Sequence, residues 1–191
     1  MDLLEHTAMN VKRFKLFDDD SIYYIAIGRI KVLSRDIDLK KLFLKLDSIQ
    51  DKEGMLLFQF FCTDHVLDYQ HVCNACFFTL KAIKEKTCIS NKNNLEFLLY
   101  LSTNRQIDNA IQDFGIKPVH AEKGFFDFCI VGNDRNILKK VDDIFDEFLL
   151  QEVRSELNTK NVDKFNKVKD YFSIKDLQMA SILHSYDQNS N

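Results

Sequence analysis

The densest run of local signals in this chain lies between Leu95 and Gly115, and it narrows what the chain can fold into. Phe97–Leu101 is an unbroken apolar run of strand length, which predicts a buried strand. Thr103 and Gln106 stand at the spacing of a capping box, and Ile107, Ala110, Ile111 and Phe114 form a stripe at helical spacing. Gly115 falls where a left-handed C-cap is expected, and Pro118, the only proline, follows to stop the helix. A strand that feeds a capped helix within so few residues implies a sheet with helices packed on it.

The flanking sequence repeats that alternation. Ile22–Ile30 and Met55–Phe61 are rich in β-branched and aromatic residues and read as buried strands. Between them Leu39, Leu42, Phe43 and Leu46 recur at helical spacing, with a turn at Asp51–Gly54. Thr63 or Asp64 is expected to cap a long helix whose face carries Val66, Tyr69, Cys73, Cys76, Leu80 and Ile83. Phe125–Val131 predicts a further strand, and a helix from near Asp134 presents Ile137, Leu138, Val141, Ile144, Phe145, Phe148 and Leu149. Val162, Phe165, Val168 and Phe172 mark another helical piece, and a C-terminal helix carries Ile174, Leu177, Ala180, Ile182 and Leu183. The expected fold is α+β, within the broader α/β class. It is a single domain over residues 1–191, with a central mixed sheet of about four to five strands, packed helices and a C-terminal helix.

Composition excludes several functions. With 46% hydrophobic residues, 17 Phe and 6 Tyr, the chain can bury a core without disulfides or metal. A net charge of −3 supplies no global field for nucleic acid or an anionic membrane, so any RNA contact has to be local. No apolar stretch suits a signal peptide or reaches the roughly 18 residues of a membrane span. The chain is therefore expected inside the cell, in the cytoplasm and, in a eukaryote, also the nucleus, with no membrane partner. Five cysteines, an odd number at irregular spacing, read as reduced thiols. Cys73 and Cys76, with His71 before them, resemble half a zinc site or a redox pair, but both lie on the apolar face of the long helix and no second such pair exists. A small Cys/His-based enzyme or metal-binding protein is the alternative reading; His65 and His71 are expected to face solvent. With 5 Gly and no phosphate-binding loop, neither ATP nor a dinucleotide is expected, so no cofactor, no metal and no catalytic residue is assigned.

What remains is local basic charge. Arg105 stands at the expected helix N-terminus, where free backbone N–H groups and the positive dipole end suit a phosphate. Asn104 and Gln106 flank it, and Lys117, Lys123 and, at the end of the long helix, Lys84 complete the candidate RNA-binding set.

The same residues carry a family likeness. Glu96-Phe97-Leu98-Leu99-Tyr100-Leu101-Ser102, then Arg105-Gln106-Ile107, Ala110-Ile111 and Phe114-Gly115-Ile116, resemble the E-LLYLS-RQI-AI-FGI signature of the small kinase-binding subunit of KEOPS, the tRNA threonylcarbamoyladenosine complex. The resemblance covers most of the chain and is strongest from about Met55 to Gly132. It implies a non-catalytic accessory subunit that docks directly on the complex's small atypical kinase/ATPase, meets the other KEOPS subunits indirectly, and helps recruit tRNA through its 3′ CCA end. The kinase interface is expected at Ile174, Leu177, Ile182 and Leu183, whose apolar arc is wider than one core-facing stripe needs. One departure is Thr103, where the family often has Gly; Thr is expected to gain a side-chain cap and to lose close backbone access for RNA.

Overall fold

Alternation along three strands divides the apolar residues between two cores, one on each face of a sheet. The computed structural model describes residues 10–15, 21–34, 36–50, 55–134, 141–155, 157 and 162–172. Strand β1 is Asn10–Lys15, β2 Ile22–Val32, β3 Met55–Phe61, β4 Phe125–Gly132 and β5 Leu150–Val153. The helices are α1 Leu39–Gln50, α2 Tyr69–Glu85, α3 Asn93–Ser102, α4 Ile107–Phe114, α5 Pro118–Lys123, α6 Asp142–Glu147 and α7 Val162–Tyr171. The sheet order is β1-β2-β4-β3, with β5 also paired to β2.

On one face Ile25 and Ile27 of β2, Leu57 and Phe61 of β3, and Cys129 and Val131 of β4 pack against α2, α3 and α4. On the other, Ile30, Phe58, Phe60, Phe126, Phe128 and Ile130 pack against Leu42 and Leu46 of α1 and Ile144 and Phe145 of α6. Phe60 meets Phe126 edge-on at 5.1 Å and Phe128 at 6.3 Å, the perpendicular geometry that aromatic quadrupoles favour. Because both faces are covered, the strands are apolar almost throughout, which is why the three runs were legible as strands.

The α+β class and the strand number stand, with three corrections. Every described pairing is antiparallel, so the sheet is not mixed. Phe97–Leu101 is not a strand: it lies in α3, where Phe97, Leu98, Leu99 and Leu101 are all buried. The helix expected from near Asp134 to Leu149 is, within its described part, the short α6 followed by a reversal and a strand. The reason lies in the edge of β2. β1 pairs with Ile22–Ile27 only, and β5 then takes the open edge from Arg29 to Val32. Leu149 turns the chain at φ 52°, and its carbonyl accepts from the Leu33 N–H at 2.9 Å.

Helix α2 starts later than Thr63 or Asp64: its N-cap is Asp68, whose carboxylate accepts from the His71 N–H at 2.9 Å. Among the described residues no helix is long and apolar enough to cross a membrane.

Candidate RNA and partner surface

Helices α3 and α4 meet at a tight junction built almost wholly from backbone and short polar side chains. α3 ends at Thr103, in the left-handed region at φ 53° and ψ 20°. The Ser102 hydroxyl donates to the Leu99 carbonyl and accepts from the Asn104 N–H, both at 3.2 Å. Asn104 Oδ1 accepts from the Gln106 N–H at 2.9 Å, and Gln106 Oε1 accepts from Asn109 Nδ2 at 2.8 Å. Gln106 is the N-cap of α4 and caps nothing with its own side chain, so the expected pairing of Thr103 with Gln106 in a capping box is not formed. Arg105 is left exposed at the apex of the turn. Asp108 in the first turn of α4 already offers a carboxylate to the helix dipole, so Arg105 has to supply most of the attraction for a phosphate here.

His71 locks the junction onto α2. Its Nδ1 accepts from the Leu67 N–H at 3.2 Å, so the proton sits on Nε2, 3.0 Å from the Leu101 carbonyl. The ring also meets Phe172 edge-on at 5.5 Å, and His65 stacks on Tyr171 at 4.2 Å. Both histidines, expected to face solvent, are half-buried and hold α2 or the loop before it to neighbouring elements.

The basic residues are not gathered into one patch. Arg105 and Lys117 stand at opposite ends of α4, a helix of 8 residues and therefore roughly 12 Å long. Lys123 lies at the far end of α5. Lys84 is roughly 20 Å along α2 from His71, the end that meets the junction. Of the RNA-binding set, the structure brings together Asn104, Arg105 and Gln106. Ile174, Leu177, Ile182 and Leu183 lie outside the described residues.

Helix α5 brings a different group together: one ligand atom each of Cys62, Asp64 and His120 lies within 4.8 Å of the others. Hydrogen bonding decides what it can do. His120 Nδ1 accepts from the Lys117 N–H at 2.9 Å, which leaves the proton on Nε2, 4.0 Å from Asp64 Oδ2. A metal at Nε2 would need a ring stripped of both protons, and a base needs a bare nitrogen. Burial lowers the His120 pKa, keeping the ring neutral near pH 7. Burial also pushes the Cys62 thiol up to about 11, and that thiol donates to the Asp113 carbonyl at 3.1 Å. This is a bonded corner of the fold in which the thiol is held protonated and the imidazole has no bare nitrogen. Cys73 and Cys76 are buried on the core face of α2, as expected, and Cys76 Sγ sits 3.1 Å from Cys129 Sγ on β4.

The family model described as kinase binding protein CGI-121 matches residues 37–188, most of the chain. The chain belongs to the CGI-121 family of kinase-binding proteins. No curated protein matches it.

Within a CGI-121 protein the conformation of Thr103 acquires a meaning. At φ 53° a β-branched residue costs about 1–2 kcal/mol where glycine costs little. That position ends α3 and caps nothing on α4, so the gain expected from a threonine cap is replaced by backbone strain. Gly115 is the reverse case. Its backbone is extended, at φ −69° and ψ 153°, not left-handed, but a Cβ there would sit 2.5 Å from the Ile111 carbonyl oxygen. Space, not φ, requires this glycine. Sequence reading gave no structural role to two further residues. Glu96, the first residue of the signature, is 1% exposed and orders the α2–α3 loop. Phe78 of α2, 48% exposed, has no signal beyond being the one large apolar side chain on a polar face.

Proposed function

We propose that this kinase-binding protein is the accessory subunit of a KEOPS-type complex: it docks on the small atypical kinase/ATPase, contributes no catalytic group, and helps recruit tRNA by its 3′ CCA end for threonylcarbamoylation of the adenosine beside the anticodon. The observation that carries the RNA half is the α3–α4 junction, where signature residues fold into a rigid, hydrogen-bonded turn that leaves Arg105 exposed. The likeness of Glu96–Ile116 to the signature of the KEOPS subunit supports the assignment to that complex. Kinase docking is placed on Ile174, Leu177, Ile182 and Leu183, by the surplus of apolar residues there.

Two measurements test this reading. Ile182→Glu should abolish co-purification with the kinase, because a carboxylate cannot be buried unpaired in an apolar contact; unchanged recovery would move the interface elsewhere. A tRNA lacking its CCA end should bind the complex more weakly than the intact tRNA. Arg105→Glu should cost intact tRNA about tenfold or more in affinity, as expected for a lost charged contact replaced by repulsion. Equal affinity for the two tRNAs would sink 3′-end recruitment.

A further inference from the structure

Helices α2 and α3 carry an aromatic shelf on their outer surface. The Phe78 and Tyr100 rings lie stacked, 5.9 Å apart at 23°. Phe77 meets Phe78 edge-on at 5.5 Å and is itself half-buried against the core. Phe78 therefore stands in a fixed orientation with 48% of its surface exposed. The exposed half of the ring is apolar surface left in water in the free protein, so the shelf is suited to a flat apolar cover.

Two cations stand at its margins. Tyr100 stands in the last turn of α3, and Arg105 lies exposed five residues on, in the turn that closes that helix. Lys81, one turn beyond Phe78 on α2, is about half exposed and pairs with Glu85 at 3.8 Å. Elsewhere around the shelf the α2 surface is neutral and polar, with Gln70 Nε2 donating to Asn74 Oδ1 at 2.9 Å.

Size identifies the occupant. A stable protein contact needs an apolar centre within roughly 800 Å² per partner, and one exposed ring framed by Asn, Lys and Glu does not provide it. One unpaired nucleobase needs only a ring face for its own plane and a guanidinium for the phosphate next to it. We infer that Phe78, backed by Tyr100, is a stacking platform for an unpaired base of RNA whose adjoining phosphate is held by Arg105. This rests on the RNA half of the proposed function and extends it from a charge at the α3–α4 turn to a two-part subsite reaching onto α2.

The test uses the full chain and a 5′-labelled RNA hairpin ending in unpaired CCA, compared by fluorescence anisotropy with the same hairpin made blunt. Phe78→Ala should weaken binding of the CCA-ended hairpin by roughly 5- to 150-fold, the loss expected for one base–aromatic stack, and leave the blunt hairpin unaffected. Phe78→Tyr should bind like the unaltered chain. Stacking displaces no counterions, so Phe78→Ala should keep the salt dependence of binding, whereas Arg105→Gln should make it shallower. Unaltered affinity in Phe78→Ala, beside clear binding by the unaltered chain, overturns the platform and leaves the RNA reading standing. A Phe78→Ala protein that keeps RNA but loses the kinase assigns the shelf to the kinase instead and overturns the inference. If the unaltered chain binds neither hairpin, the platform is overturned, while 3′-end recruitment stands or falls on the comparison of the two tRNAs with the complex.

Discussion

Asp127→Ala should lower the free energy of unfolding by about 3–5 kcal/mol. Asp127 is 1% exposed on β4, directly across from Arg29 of β2. Arg29 Nε and Nη2 both donate to its Oδ2 at 3.1 Å, and the Ser155 hydroxyl donates to its Oδ1 at 3.2 Å. The guanidinium is itself mostly covered, at 14% side-chain exposure. Removing the carboxylate takes the main counter-charge from a guanidinium that is largely out of water, with the Thr63 hydroxyl still 3.5 Å from its Nη2, and that desolvation penalty, more than the strength of the pair, sets the loss. Domains are stable by about 5–15 kcal/mol, so the variant should sit close to the limit of folding. A urea titration checks it: the midpoint should fall with little change in slope. The double variant Arg29→Met, Asp127→Leu should recover most of the loss, because it removes both charges and keeps the volume. A single variant within about 1 kcal/mol of the unaltered protein would show that water reaches Arg29.

Glu96→Ala should cost about 2–4 kcal/mol, and the loss should be localised. Its Oε2 accepts from the Ile89 and Ser90 N–H groups at 2.9 and 2.8 Å, holding the loop between α2 and α3 against the start of α3. Ser90 then passes the order on, its hydroxyl accepting from the Lys92 N–H at 3.1 Å. The other oxygen, Oε1, is buried and makes no hydrogen bond among the described residues. Alanine leaves two backbone donors without their acceptor. Glutamine keeps an acceptor oxygen and should lose only about 1 kcal/mol, the ordinary difference between a charged and a neutral acceptor. Hydrogen exchange separates this local effect from global unfolding: the Ile89 and Ser90 amides should lose protection in Glu96→Ala well beyond the sheet amides of β4. Equal loss of protection at both places would mean that Glu96 supports the whole fold and not one loop.

Much of the architecture was legible before any tertiary contact was known. The runs at Ile22–Ile30, Met55–Phe61 and Phe125–Val131 are strands β2, β3 and β4, buried on both faces. The α4 stripe was correct in Ala110 and Phe114, which are buried, and the apolar face of α2 is where Cys73 and Cys76 lie. The family signature was readable as well, and it falls on the α3–α4 unit. Binding geometry was much less accessible. Basic residues close in sequence sit on separate ends of α2, α4 and α5, and Phe78 draws no notice until the face around it is known to be polar.

What the residues determined by themselves is which side chains leave water and with what period, because that depends only on local spacing and on hydrophobicity. Phe97–Leu101 shows where this ends. Five apolar residues in a row carry no period, and they form a helix because α2, α4 and the sheet surround them, each supplying apolar contact without any strand partner. Phe148 and Leu149 likewise continue a helical stripe in sequence, yet the chain turns at Leu149 because the unpaired edge of β2 beyond β1 offers a ladder of backbone hydrogen bonds to Leu150–Val153. Gly115 was marked as required, but only packing supplied the reason, a carbonyl 2.5 Å from where its Cβ would be. In each case the deciding partner is distant in sequence or hidden in the backbone's path, and such a contact leaves no mark on local pattern.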